Sequence, residues 1–176
     1  EFRRVLFRSR QGTYAFWNAP SARLWTDYRL SCLIDSVDDD GVGLIVRRSD
    51  ARNYYKLEID AQRQFAKLFK ISDGVETTLA SETRDYPSGV EFRLDIVCDG
   101  SSIFCFQDGA VLFGGAIQDA TLRSGSVGLY AWGSEGVTFK RVLVGALRTT
   151  AAPLVTLSPR TQTVYVGDSV RITGEV

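Results

Sequence analysis

Between Trp25 and Val144 the chain alternates apolar and polar residues with a period of two, in about twelve short runs. Tyr28, Leu30, Cys32 and Ile34 share one face, while Arg29, Ser31 and Asp35 take the other. Val42, Leu44 and Val46 alternate with Gly43, Ile45 and Arg47, and Tyr55, Leu57 and Ile59 alternate with Tyr54, Lys56, Glu58 and Asp60. Leu94, Ile96 and Cys98 alternate in the same way with Arg93, Asp95 and Val97. Successive side chains of a strand point to opposite faces, so this rhythm predicts strands with one face buried. Turn formers separate the runs at Asp40-Gly41, Ser72-Asp-Gly74, Pro87-Ser-Gly89, Asp99-Gly100, Asp108-Gly109 and Gly133. The one candidate for a helical turn is Asp119 to Gly125, with Leu122 plugging an edge of the core. A first strand is expected over Gly12 to Trp17, paired near the last strand, Val137 to Val144. A chain of this kind predicts an all-β fold, an antiparallel two-sheet β-sandwich.

Composition removes several functions. Lys+Arg and Asp+Glu are equal at 21 each in 176 residues. No basic block marks the strand-rich region, so no nucleic-acid partner is expected. No apolar run approaches the roughly 18 residues that span a bilayer, and no membrane insertion is expected. The chain has no histidine, which removes the commonest general base and metal ligand together. Three cysteines remain, Cys32, Cys98 and Cys105. A two-residue turn at Gly100-Ser101 would set Cys98 opposite Ile103 and Ile96 opposite Cys105, leaving the two sulfurs diagonal and poorly placed to bridge. All three are read as small buried hydrophobes, with no disulfide.

Five motifs in order carry a family resemblance over roughly residues 12 to 144: Trp25-Thr-Asp-Tyr28, Asp38-Asp-Asp40 followed by Gly43, Asn53-Tyr-Tyr55, Phe106-Gln-Asp-Gly109 and Gly125-Ser-Val-Gly-Leu-Tyr-Ala-Trp132. They resemble the laminin-G-like, concanavalin A-like lectin/glucanase jelly rolls. The Asp38 to Gly43 and Tyr54-Tyr55 portion is also similar to the lectin-like sandwich at the C-terminal end of thrombospondins. The resemblance implies a non-catalytic binding or adhesion module, monomeric within a longer extracellular or cell-surface bacterial protein, with a glycan or a surface protein as partner. A purely structural spacer is the alternative, and a degenerate glycosidase or 3-keto-glycoside hydrolase is the enzymatic one.

Candidate sites follow from residue type and face. Laminarinase-type hydrolases of this fold carry Glu-x-Asp-x-Glu on a strand; here Glu58 and Asp60 match, but position 62 is Gln, whose amide cannot protonate a leaving oxygen. No catalytic residues are therefore assigned. Three consecutive carboxylates, Asp38, Asp39 and Asp40, repel one another unless solvated or neutralised, and relatives of this fold bind calcium, so they form a candidate calcium site beside the plainer reading of an Asp40-Gly41 turn. Aromatic rings beside charged groups on non-core faces suit sugar or peptide recognition. That pattern selects Arg47, Tyr54, Lys56 and Glu58 on one sheet surface, and Arg93, Phe104 and Phe106 on another. Trp17, Trp25 and Trp132 are expected as core or edge caps.

Both ends are expected to lie outside the sandwich, which is assigned to residues 10–146. Glu1 to Ser9 back-translates to a string resembling a short-read sequencing adapter and is read as a translated artefact of an environmental fragment. Residues 147–152 read as a small-residue linker, and 153–176 resemble the opening strands of a bacterial immunoglobulin-like domain, with Val164, Val166, Val170 and Ile172 alternating.

Overall fold

A computed structural model describes residues 12–133 and 136–147. The adapter-like segment 1–9, the linker beyond Leu147 and the immunoglobulin-like stretch 153–176 lie outside the described residues. Within them the alternating pattern folds as two antiparallel sheets packed face to face. The first sheet runs in the order β1 (Thr13–Phe16), β11 (Ser126–Ala131), β3 (Val42–Asp50), β4 (Asn53–Asp60), β5 (Phe65–Ser72), β6 (Val75–Glu82). The second runs β10 (Ile117–Gln118), β8 (Ser102–Gln107), β7 (Phe92–Asp99), β2 (Tyr28–Asp35), β12 (Thr138–Ala146), with β9 (Ala110–Val111) paired beside β8. This is a jelly-roll β-sandwich.

The core lies between the sheets and takes the apolar half of each alternation. Leu30, Cys32 and Ile34 of β2 and Leu94, Ile96 and Cys98 of β7 meet Leu44 and Val46 of β3, Leu57 and Ile59 of β4 and Leu68 of β5, all fully buried. The hairpin register is as the turn chemistry requires, with Cys98 opposite Ile103 and Ile96 opposite Cys105. The three cysteines are free and buried. Burial pushes the Cys32 and Cys98 thiols up to about 12.

Two expected arrangements are corrected. The first strand pairs with β11, Tyr14 opposite Tyr130 and Phe16 opposite Gly128, while the final strand β12 lies in the other sheet against β2. Outward rings decide the pairing: Tyr14 and Tyr130 pack at 5.2 Å between centroids, and Gly128 leaves β11 flat where Phe16 lies, since a Cβ there would stand 2.6 Å from the ring. The stretch Asp119 to Gly125 forms no helical turn; the short helix among the described residues is a 3-10 turn at Pro20–Leu24. Asp119 is the cause. Its carboxylate accepts the Thr121 N–H at 2.8 Å, the Tyr55 hydroxyl at 2.7 Å and the Lys70 ammonium at 2.7 Å, and the Leu122 N–H goes to the Tyr55 hydroxyl at 3.0 Å. Side-chain acceptors thus take the backbone donors that would otherwise start a helix. Leu122 still packs against the core.

Burial alone would raise the Asp119 carboxyl, but the Lys70, Tyr55 and Thr121 hydrogen bonds hold it well below the ordinary carboxylate range. A depressed folded-state pKa stabilises the fold above the unfolded value near 4, and the contribution fades as pH falls through and below it. Asp119→Asn is expected to cost about 2 kcal/mol near neutrality, the scale of hydrogen bonds to a charged group. The gap between variant and parent in denaturant unfolding should narrow steadily as the buffer is acidified toward pH 3.

Candidate functional site

The outer face of the first sheet is not the polar surface that an alternating strand normally shows to water. Ile45, Tyr54, Phe69, Ile71 and Tyr130 form a second buried apolar cluster there, with Tyr14, Phe16 and Trp132 packed against it. Strand β5 explains part of this, because Ala66 and Leu68 face the core while Phe65, Phe69 and Ile71 occupy the opposite side. The rings wall a cleft of about 370 Å³ lined by Tyr14, Phe65, Phe69, Tyr130 and Trp132 together with five charged side chains. That volume lies at the small end of the range for ligand pockets.

The charged groups come from β4 and its neighbours. Lys56, Glu58 and Asp60 project from one side of β4, two residues apart, as the strand period dictates. The Lys56 ammonium lies 2.9 Å from Glu58 and 3.3 Å from Glu76 on β6, and sits over the rings of Phe69 at 4.5 Å and Tyr130 at 4.4 Å. Arg63, in the turn after β4, holds the buried Asp60 through Nη1 at 2.5 Å and through its backbone N–H at 2.7 Å. The same guanidinium approaches Asp40 at 3.6 Å and lies 4.0 Å from the centre of the Trp132 ring. Burial pushes the Glu58 carboxyl above its ordinary range, against the pull of Lys56. Burial also raises Asp40, reinforced by the Asp38 charge and opposed by Arg63. Gly41 makes room for this arrangement, because a Cβ there would stand 2.7 Å from the Glu58 Oε1.

The ligand-binding residues selected from sequence divide three ways. Tyr54, Lys56 and Glu58 share the outer face of the first sheet, and Lys56 and Glu58 line the cleft. Arg47 does not: a bulge after Val46 gives it a φ of 49° and turns it inward, where it is fully buried. There it donates to the Thr26 carbonyl at 3.1 Å and the Leu122 carbonyl at 3.1 Å, with the Asp27 carboxylate 3.6 Å away, so it is a structural tie rather than a surface group. Arg93, Phe104 and Phe106 lie on the outer face of the second sheet and cannot reach the same ligand. On that face Arg93 at 2.9 Å and Arg29 at 3.0 Å both hold the buried Asp95. Burial would raise that carboxyl, yet the Arg29 and Ser31 hydrogen bonds keep it below its ordinary range.

The candidate calcium residues are engaged with the protein itself. Asp38 accepts the Asp39 N–H at 2.9 Å and Asp40 turns toward Arg63. Among the described residues no group of three His, Cys, Asp or Glu side chains is placed to hold a metal ion. The laminarinase-like spacing also ends early: β4 stops at Asp60, and Gln62 sits in the following turn with its N–H on the Asp39 carbonyl at 2.7 Å.

Sequence reasoning missed Tyr14, Arg63, Phe65, Phe69, Glu76, Tyr130 and Trp132, and it placed Trp132 with the caps. A signal for four of them was present. Gly128, Tyr130 and Trp132 alternate with Val127, Leu129 and Ala131, and Phe65 and Phe69 make β5 apolar on both faces.

No protein-family model matches the chain, and no curated protein matches it in sequence. Solved structures do match in shape. A carbohydrate-binding module, CBM66 from Bacillus subtilis, superposes with a TM-score of 0.70 at 20% identity, covering 79% of this chain and 84% of that one. Galectin LEC-6 from Caenorhabditis elegans gives 0.57 at 12% identity, over 79% and 99%. The GH43 protein BlXynB from Bacillus licheniformis gives 0.51 at 14% identity, over 75% of this chain but 27% of that one. At these identities the likeness establishes the fold, a concanavalin-like jelly roll shared with carbohydrate-binding modules and galectins.

Proposed function

We propose that this domain is a non-catalytic glycan-binding module of a multidomain extracellular protein, and that its site is the cleft on the outer face of the first sheet. The observation that carries this reading is the convergence of five aromatic side chains with Lys56, Glu58, Asp60, Arg63 and Glu76 around one cleft. Flat rings offer stacking surfaces for the C–H faces of a sugar, and fixed polar groups orient its hydroxyls. Two structures of similar shape, a carbohydrate-binding module and a galectin, support the same reading.

Catalysis is disfavoured by the acids present. The one-strand spacing that begins with Glu58 and Asp60 lacks its third acid, since Gln62 stands in the turn beyond β4 and its amide cannot protonate a leaving oxygen. Glu58 and Asp60 are each paired with a cation of their own. The test is affinity electrophoresis of the full chain through gels containing individual polysaccharides, followed by calorimetry on any that retard it. Retardation without release of reducing sugar is expected; release of product by the unmodified chain would replace this reading with an enzymatic one.

A further inference from the structure

The charges of the cleft narrow the class of ligand. Both cations that line it are already compensated. Lys56 is 6% exposed and lies between Glu58, Glu76 and two ring faces. Arg63 is shared by Asp60 and Asp40 and packs on Trp132. Against these two positive groups stand three lining carboxylates, Glu58, Asp60 and Glu76, with Asp40 beside Arg63. The balance of the lining is negative by one charge, in a site half of whose lining residues are aromatic.

An entering carboxylate or sulfate would lose hydration and find no uncommitted cation among the lining residues, while facing the Glu58 and Glu76 oxygens. Hydroxyl groups meet the opposite situation, because a carboxylate has several lone pairs and Lys56 occupies only part of those on Glu58 and Glu76. We infer that the ligand is an uncharged, hydroxyl-rich saccharide, its hydroxyls donating to Glu58 and Glu76, and that glycans bearing carboxylate or sulfate groups are excluded. This rests on the glycan-binding reading above.

The experiment is a microarray of neutral, uronic-acid-bearing and sulfated polysaccharides, probed with the full chain at low salt, where attraction to any anion is strongest. Hits are expected among neutral members, with affinity little changed by added salt. Sulfation of the same neutral hit should weaken binding at least about tenfold, the factor that about 1.4 kcal/mol produces. Glu76→Lys, on the half-exposed edge strand β6, should recover part of the loss toward the sulfated form, and that gain should fade with salt. Hits confined to anionic polysaccharides, or a sulfated form bound as tightly as its parent, would overturn the proposal while leaving glycan binding intact. An array with no hit of any class overturns the glycan reading itself, and this inference with it.

Discussion

Trp132→Ala is expected to weaken binding of any retarding polysaccharide by about thirtyfold or more, on the scale of about 2 kcal/mol for an aromatic anchor at the centre of a contact. The ring walls the cleft and carries the Arg63 guanidinium at 4.0 Å, so its loss removes a stacking surface and frees an orienting donor together. The same change should lower stability by about 1 kcal/mol at most, because the residue packs against the smaller outer cluster and its backbone N–H, which holds the Gly41 carbonyl at 2.7 Å, is kept. Trp132→Phe should restore a large part of the affinity. Phe104→Ala is the control for the other sheet, and it should leave binding unchanged. Calorimetry on the three variants checks the assignment. Equal losses from Trp132→Ala and Phe104→Ala would move the site away from the first sheet.

Arg47→Ala should give the opposite profile, with about 3 kcal/mol of stability lost and little change in the affinity of the protein that remains folded. Removing one partner from a fully buried charged network leaves the other groups desolvated and unpaired, which is costly. Here the orphans would be the Thr26 and Leu122 carbonyls, and the connector before β11 would lose its tie to β3. Gly125 closes the same corner, since a Cβ there would stand 2.4 Å from the Arg47 backbone. Urea unfolding gives the stability change, and calorimetry on the folded fraction gives the affinity. A variant of parental stability with impaired binding would return Arg47 to the ligand.

How much was legible in the chain follows from what each signal measures. A strict period of two reports which side chains avoid water, and it identified Tyr28, Leu30, Cys32 and Ile34, or Leu94, Ile96 and Cys98, as core without ambiguity. It identified Lys56 and Glu58 as sharing an outer face for the same reason. It fails where the register shifts. The register shift at Arg47 inverts the side on which the side chain emerges, and no residue type around Arg47-Arg48 announces it. It also cannot say which sheet a strand joins, so Phe104 and Tyr54 looked equivalent although they face away from each other across the sandwich.

The linear order of residues thus determined the two-layer β architecture, the identity of the buried half of each strand, the free state of the three cysteines and the residues of β4 that line the cleft. The tertiary structure alone decided that β11 lies between β1 and β3, and so brings Tyr130 and Trp132 beside Lys56 and Arg63, residues roughly 70 positions apart in the chain. Alternation is a local property of a few consecutive residues, whereas a cleft is assembled by strand order, which depends on long-range pairing that no short window of sequence contains.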